Sequence, residues 1–114
     1  MSSEQKSFGE YLKYLIKTAR MTQAGFYKEL NIGKPYFYDV ISGRVNPFAP
    51  DLQFKAMEIL KPSKQTRNEF YDIAANRRGE MPADIKSITD MHPAFINEIR
   101  LLLDKLLTDQ EETI

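Results

Sequence analysis

Cysteine and tryptophan are absent from all 114 residues, and histidine occurs once. Without cysteine the chain has no disulfide, no thiolate nucleophile and no cysteine-based zinc site. His92 has no second histidine with which to share a metal ion, and no His-Glu metal motif, glycine-rich phosphate loop or nucleophile elbow occurs. We therefore expect no catalytic residue, no metal and no cofactor, and we predict that the protein is not an enzyme.

Long apolar runs are also missing, so no segment is expected to span a membrane. Residues 1–6 lack the apolar core of a secretory signal, which makes the cytoplasm the expected location and a membrane an unexpected partner. A hydrophobic content of 42% is enough to fill one modest core, whereas two independent domains would be cramped.

The net charge is zero, but the charges are unevenly distributed along the chain. Residues 1–78 carry a net charge of +5 and residues 79–114 a net charge of −5. A basic part followed by an acidic part suits a protein that presents one region to phosphates, although a chance distribution is the alternative. We predict a first domain over residues 1–78 and a helical tail over residues 79–114 that serves dimerisation or partner binding.

Apolar residues recur at helical spacing along the chain, and no alternating β pattern is found, so the fold is predicted to be all-α. Five helices are expected before residue 79, followed by a short sixth helix and a longer last one that begins at Pro93. Expected caps or starts for the first, second, third and fifth helices are Ser7 (in a capping box with Glu10), Thr22, Gly33 and Ser63.

Residues 22 to 47 predict two short helices joined by a tight turn, which is the helix-turn-helix layout. Asn31 tolerates the left-handed conformation that such a turn requires, and Gly43 ends the second helix of the pair. A second helix held in this way can project from the surface at the width of a DNA major groove.

Residues 8–60 resemble the helix-turn-helix domain of the Cro and phage-repressor, or Xre-type, transcriptional regulators. The residues in register are Thr22, Gln23, Leu30, Ile32, Ser42, Gly43, Arg44, Asn46 and Pro47. Pro82-Ala-Asp-Ile85 is similar to a tail found on some bacterial members. The resemblance implies that residues 1–78 form a lambda-repressor-like five-helix DNA-binding domain and that residues 79–114 form a C-terminal helical extension. It also implies a sequence-specific transcriptional regulator that binds double-stranded DNA, for which repression is the expected role and activation the alternative.

The resemblance further implies seven DNA-binding residues with two roles. The phosphate backbone would be contacted next to helix ends, by Gln23, Arg44 and Asn46. The groove floor would be read by the outward side of the third helix, by Lys34, Tyr36, Tyr38 and Asp39. Each has an alternative, because an exposed charged residue is usually only solvated, and aromatic residues pack more often than they read bases.

Tyr27 departs from the family pattern, which has a small residue at this position of the second helix. Either the two helices stand apart and Tyr27 packs with Phe37, or the ring swings outward to use its hydroxyl in solvent or at the DNA. Gly25, in the same helix, is expected to give the ring room.

The last helix has an apolar stripe that must be buried somewhere: Phe95, Ile99, Leu102, Leu103 and Leu106. The stripe is predicted either to form a homodimer interface or to pack on its own domain. A dimer would read the two half-sites of a palindromic operator. Two alternative functions are a protein-interaction module that uses the third helix, and an antitoxin-like regulator whose acidic tail binds a partner protein.

Overall fold

The computed structural model describes residues 7–112, and these contain seven helices and no strand. The helices are α1 (Phe8–Thr18), α2 (Gln23–Glu29), α3 (Lys34–Ser42), α4 (Pro50–Leu60), α5 (Lys64–Arg78), α6 (Ala83–Met91) and α7 (Phe95–Glu112). The predicted all-α class is confirmed. The expected absence of a secretory signal concerns residues 1–6, which lie outside the described part of the chain.

The chain divides into two compact units, Met1–Ala83 and Asp84–Ile114. The first unit contains α1 to α5, and the second contains α7 and all of α6 except its first residue. The division lies five residues beyond the boundary that the charge distribution predicts. None of the helices in the described residues is long and apolar enough to cross a membrane.

Side-chain caps fix the starts of α1, α2 and α5. Ser7, Thr22 and Ser63 each accept a hydrogen bond from the amide three residues on, at 3.1, 2.9 and 3.2 Å. Each cap of this kind stabilises a helix by about 1 kcal/mol. The capping box at α1 differs from the usual motif in one bond. The Glu10 carboxylate accepts a hydrogen bond from the Ser7 hydroxyl, at 3.2 Å, instead of from the Ser7 amide.

Residues with positive φ end several of the helices. Asn31 has a φ of 62° after α2, and Gly43 has a φ of 79° after α3, so both predicted left-handed positions are confirmed. Lys61 adopts a φ of 48° at the end of α4, immediately before Pro62. The turn between α2 and α3 is therefore fixed by local backbone chemistry.

The core of the first unit is built around four phenylalanines that are fully buried. They are Phe26 in α2, Phe37 in α3, Phe48 in the loop after α3, and Phe70 in α5. Phe8 of α1 joins two of them, because its ring centroid lies 5.7 Å from that of Phe48 and 5.3 Å from that of Phe70. One aromatic cluster therefore packs α1 and α5 against the loop that follows α3.

The α1 and α3 backbones meet at Gly9. A Cβ atom added to Gly9 would lie 1.8 Å from the main-chain oxygen of Ile41. No side chain fits in this space, so the approach of the two helices requires glycine. Gly9 thereby helps set the position of α3 in the first unit.

Candidate functional site

The pair formed by α2 and α3 lies where the sequence predicts it. The ring centroids of Phe26 in α2 and Phe37 in α3 are 6.1 Å apart, and residues 30–33 join the two helices. Gly33 occupies the cap position of α3, and Pro35 lies in the first turn, where its missing amide hydrogen costs no helical bond. Phe37 and Val40 bury one side of α3, which leaves the other side available to a partner.

The outward side of α3 carries the residues predicted to read bases. Lys34 is exposed, and Tyr36 and Tyr38 are 37% and 42% exposed. Both tyrosine rings also pack, since Tyr36 lies 6.2 Å from Phe48 and Tyr38 lies 5.2 Å from Phe37, measured between ring centroids. The packing limits the freedom of the rings, while their outer edges remain accessible.

Tyr27 packs inward, as the first of its two predicted arrangements requires. Its ring centroid lies 5.3 Å from that of Phe37, and the side chain is half-buried against the core. The expectation that Gly25 makes room for this ring is wrong. A Cβ atom on Gly25 would meet only the Thr22 hydroxyl oxygen within 4 Å, and no atom of α3. The glycine that a helix contact requires is Gly9.

Asp39 and Arg44, which have separate predicted roles in DNA binding, pair with each other. Arg44 Nη1 lies 3.6 Å from Asp39 Oδ1, and the Arg44 amide donates to the Asp39 carbonyl at 2.9 Å. The left-handed turn at Gly43 brings the two residues together. Both side chains are accessible to water, so such a pair contributes only about 0 to 1 kcal/mol. A charged or polar ligand is therefore able to compete for either partner.

Residues 43–49 form the loop that leaves α3, here called the exit loop, and three contacts hold it. Phe48 is fully buried, and the buried Gln53 amide donates to the Phe48 carbonyl at 2.7 Å. Arg78 Nη1 donates to the Pro47 carbonyl at 2.9 Å. The same guanidinium binds both carboxylate oxygens of Glu80 at 3.1 Å. Arg44 and Asn46 thus project from a firmly held backbone.

The contacts of Arg78, Gln53 and Phe48 are not predicted from the sequence. Arg78 stands in the last turn of α5, where a basic residue is favourable in any case, so its residue type gives no indication of a distant partner. Only the burial of Phe48 could have been inferred from the sequence, because Phe48 is a large apolar residue between two prolines in a loop.

Gln23 is half-buried at the first position of α2, next to the Thr22 cap. Asn46 is exposed in the exit loop. The structure thus places four of the predicted residues on α3 itself, two on the exit loop and one at the start of α2. All seven lie within the first unit.

Tyr11 ties α1 to α5 on the buried side of the first unit. Its hydroxyl oxygen lies 3.2 Å from Glu69 Oε2 and 3.3 Å from the Thr66 carbonyl oxygen. Burial, followed by the negative charge of Glu69, raises the pKa of Tyr11 from 10 to about 12. The neutral phenol is thus the form that the fold requires.

The second unit exposes most of the predicted apolar stripe. Phe95, Leu102, Leu103 and Leu106 are 44 to 57% exposed, whereas Ile99 is half-buried. The remaining faces of α7 carry Glu98, Arg100, Asp104 and Lys105, which are exposed. Within this unit α6 does not cover the stripe, so the apolar surface is open to a further partner.

His92, the single histidine, stacks on Phe95 with ring centroids 4.7 Å apart. In the described residues no group of three or more His, Cys, Asp or Glu side chains is placed to hold a metal ion. Comparison of the chain with protein-family models, with curated proteins and with solved structures found no match. The resemblance to Xre-type regulators stays a prediction from the residues.

Proposed function

We propose that the protein is a sequence-specific DNA-binding transcriptional regulator that uses α3 as its recognition helix. One observation carries the proposal. The α2 and α3 pair buries Phe26 and Phe37 between its helices while the outer side of α3 presents Lys34 and Tyr38. A helix anchored on one side and exposed on the other is the element that a major groove accepts.

The exposed residues supply both kinds of contact that such a regulator needs. Lys34 can donate to guanine O6 and N7, and the ring of Tyr38 can contact a thymine methyl group. Asp39 can accept from cytosine N4 once Arg44 has turned to a phosphate. Gln23 and Asn46 add neutral phosphate contacts, which fix the register of the helix on the DNA but carry no sequence information.

The apolar stripe of α7 supports a homodimer as the binding form. Leucine side chains that are more than half exposed are stabilised by a partner surface, and a second copy offers the same stripe. Two copies would place two α3 helices on half-sites about one helical turn apart. The operator of such a dimer is a palindrome, and repression by occupying a promoter is the simplest outcome.

The test is selection from random DNA, followed by binding of the selected duplex at several salt concentrations. We expect a palindromic consensus, and we expect Lys34→Ala to weaken binding by about 1 to 3 kcal/mol and relax the preference at one base pair. Lys64→Ala is the matched control, since Lys64 is exposed at the start of α5, outside the predicted DNA-binding set. No enriched sequence, or equal losses in the two variants, would falsify the proposal.

A protein-interaction module, or an antitoxin-like regulator, is the second candidate. The observation that favours it is the Asp39 and Arg44 pair, which neutralises two charges beside the exposed Tyr36 and Tyr38. Aromatic surfaces with little net charge are typical of protein interfaces. This candidate predicts a stable complex with another protein that survives Lys34→Ala and is lost on Tyr38→Ala. Selection of a palindromic operator argues against the pure interaction module.

A further inference from the structure

A cleft of about 320 Å³ opens beside the exit loop, entirely within the first unit. It lies where the start of α1, the end of α3 and the end of α5 come together. The residues that matter for its chemistry are Ser7, Gly9, Ser42, Gly43, Asn46 and Arg77. The cleft therefore lies next to the exit loop, which carries two of the predicted phosphate-binding residues, Arg44 and Asn46.

The lining of this cleft is suited to an anion. Arg77 is the charged residue of the lining, which includes no carboxylate. The serine hydroxyls already have acceptors, because Ser7 donates to Glu10 and Ser42 donates to the Asp39 carbonyl. Arg77 and Asn46 are exposed and form no side-chain hydrogen bond or ion pair within residues 7–112. A guanidinium and an amide thus remain available as donors.

The other two arginines near the exit loop are already engaged. Arg44 pairs with Asp39, and Arg78 is held by the Pro47 carbonyl and by Glu80. Arg77 differs from its neighbour Arg78 in this respect, although both stand in the last turn of α5. A free guanidinium next to a free amide forms strong, charge-assisted hydrogen bonds with a phosphate oxygen.

We propose that Arg77 and Asn46 together bind one phosphate of the DNA backbone in this cleft, which adds a contact from α5 to the recognition surface. The inference rests on the proposed DNA-binding function. Because the cleft adjoins the end of α3, the phosphate belongs to the strand that borders the groove occupied by that helix. Phosphate contacts of this kind set the register and supply affinity without reading sequence.

The experiment compares Arg77→Gln with Arg67→Gln on the selected operator duplex, by fluorescence anisotropy between about 50 and 200 mM salt. Arg67 is a matched control, because it is exposed on the same helix and lies at a different surface, beside Lys61 and Tyr71. We expect Arg77→Gln to weaken binding roughly three- to tenfold and to lower the slope of log K against log salt by about 1. Arg67→Gln should change neither quantity. Equal losses in the two variants would mean a general charge effect and would overturn the proposal.

A second measurement identifies the phosphate itself. Operator duplexes are made with a single neutral methylphosphonate, moved stepwise along each half-site. At one position the substitution should weaken the wild-type protein but not weaken Arg77→Gln any further. Asn46→Ala should lower affinity without changing the salt slope, because the amide is neutral.

The outcomes separate the two proposals. Absence of wild-type binding to every duplex refutes the regulator function, and the cleft proposal falls with it. Normal wild-type binding with an unchanged Arg77→Gln refutes the cleft alone. The melting temperature of each variant serves as the folding control, since exposed substitutions of this kind change stability little.

Discussion

Gly9→Ala should destabilise the first unit, even though alanine is the better helix former. The substitution places a methyl group 1.8 Å from the Ile41 main-chain oxygen, and Ile41 Cα and carbonyl carbon are also within 3 Å. A side chain could rotate away from such an overlap, but the obstacle here is the backbone of α3. The α1 and α3 helices must therefore move apart by roughly 1 Å, and the packing around Phe8 and Phe37 must change with them.

The size of the effect follows from two opposing contributions. Gly9 is the second residue of α1, so alanine gains at most the roughly 1 kcal/mol by which a helix interior favours it over glycine. Overpacking costs about 1 to 3 kcal/mol, and a main-chain obstacle places this substitution at the upper end or beyond. The net loss is thus about 2 kcal/mol, which lowers the melting temperature of a domain of 60 to 100 residues by roughly 8 to 16 °C.

Tyrosine fluorescence during thermal melting is the appropriate measurement. All six tyrosines lie between residues 11 and 71, and tryptophan is absent, so the signal reports the first unit alone. Gly33→Ala is the control, because its Cβ would meet only Pro35 Cδ, at 3.7 Å, and its φ of −79° suits alanine. The control should shift stability by less than about 1 kcal/mol. If Gly9→Ala melts at the same temperature as Gly33→Ala, the close approach of α1 and α3 is refuted.

Three further perturbations test the exit loop, the buried tyrosine and the apolar stripe. Arg78→Gln breaks the bond to the Pro47 carbonyl, so hydrogen exchange of the amides in residues 43–49 should accelerate and the free energy of unfolding should fall by about 1 to 3 kcal/mol. Unchanged exchange, measured by mass spectrometry, would contradict this. Tyr11→Phe should reduce the loss of stability between about pH 10 and 12. The reason is that the folded protein favours the neutral phenol, whose pKa is raised from 10 to about 12. The resulting stabilisation is complete below about pH 10 and is lost between about pH 10 and 12, where the phenol of the unfolded chain ionises first. Urea melts of both proteins at several pH values measure the difference, and parallel pH profiles would contradict the raised pKa of Tyr11. Leu102→Glu should convert a wild-type dimer to a monomer in analytical ultracentrifugation, because it places a charge in the stripe of α7; a wild-type monomer at all concentrations would rule out the homodimer.

Several helix ends follow from the sequence because their causes are local, whereas α7 begins at Phe95, two residues after the predicted start at Pro93. Thr22 and Ser63 bond to amides three residues away, and Asn31 and Gly43 adopt the left-handed conformation that their side chains permit. Such interactions lie within one turn of the chain, so a single sequence contains all the participants.

The contacts between helices do not follow from the sequence in the same way. Gly9 appears in the sequence only as one residue of a capping box, and nothing local indicates that it faces Ile41. Phe48 packs against Phe8, and Arg78 donates to the Pro47 carbonyl, and in each case the two residues are thirty or more positions apart. Residue type limits which contacts are possible, but the relative placement of helices decides which ones form.

The candidate site shows both sides of this distinction. The exposure of Lys34 and Tyr38 follows from the helical period, because Phe37 and Val40 define the buried side. The pairing of Asp39 with Arg44 depends on the turn at Gly43, and it changes the interpretation of both residues. The role of a single residue can thus be assigned only when the residues that it contacts are known.

The fixed exit loop also bears on the DNA affinity that the proposed function requires. Ordering one residue of backbone costs about 1 to 2 kcal/mol, and a flexible loop would meet that cost when it binds. Here the burial of Phe48 and the bonds to the Pro47 and Phe48 carbonyls order the loop during folding. In the proposed complex, Asn46 would then lose only side-chain freedom when it binds a phosphate. The same reasoning predicts that Arg78→Gln, which loosens the exit loop, weakens DNA binding although Arg78 contacts only protein. The reason is that the loop must then be ordered when DNA binds, and the entropic cost of that ordering lowers the affinity.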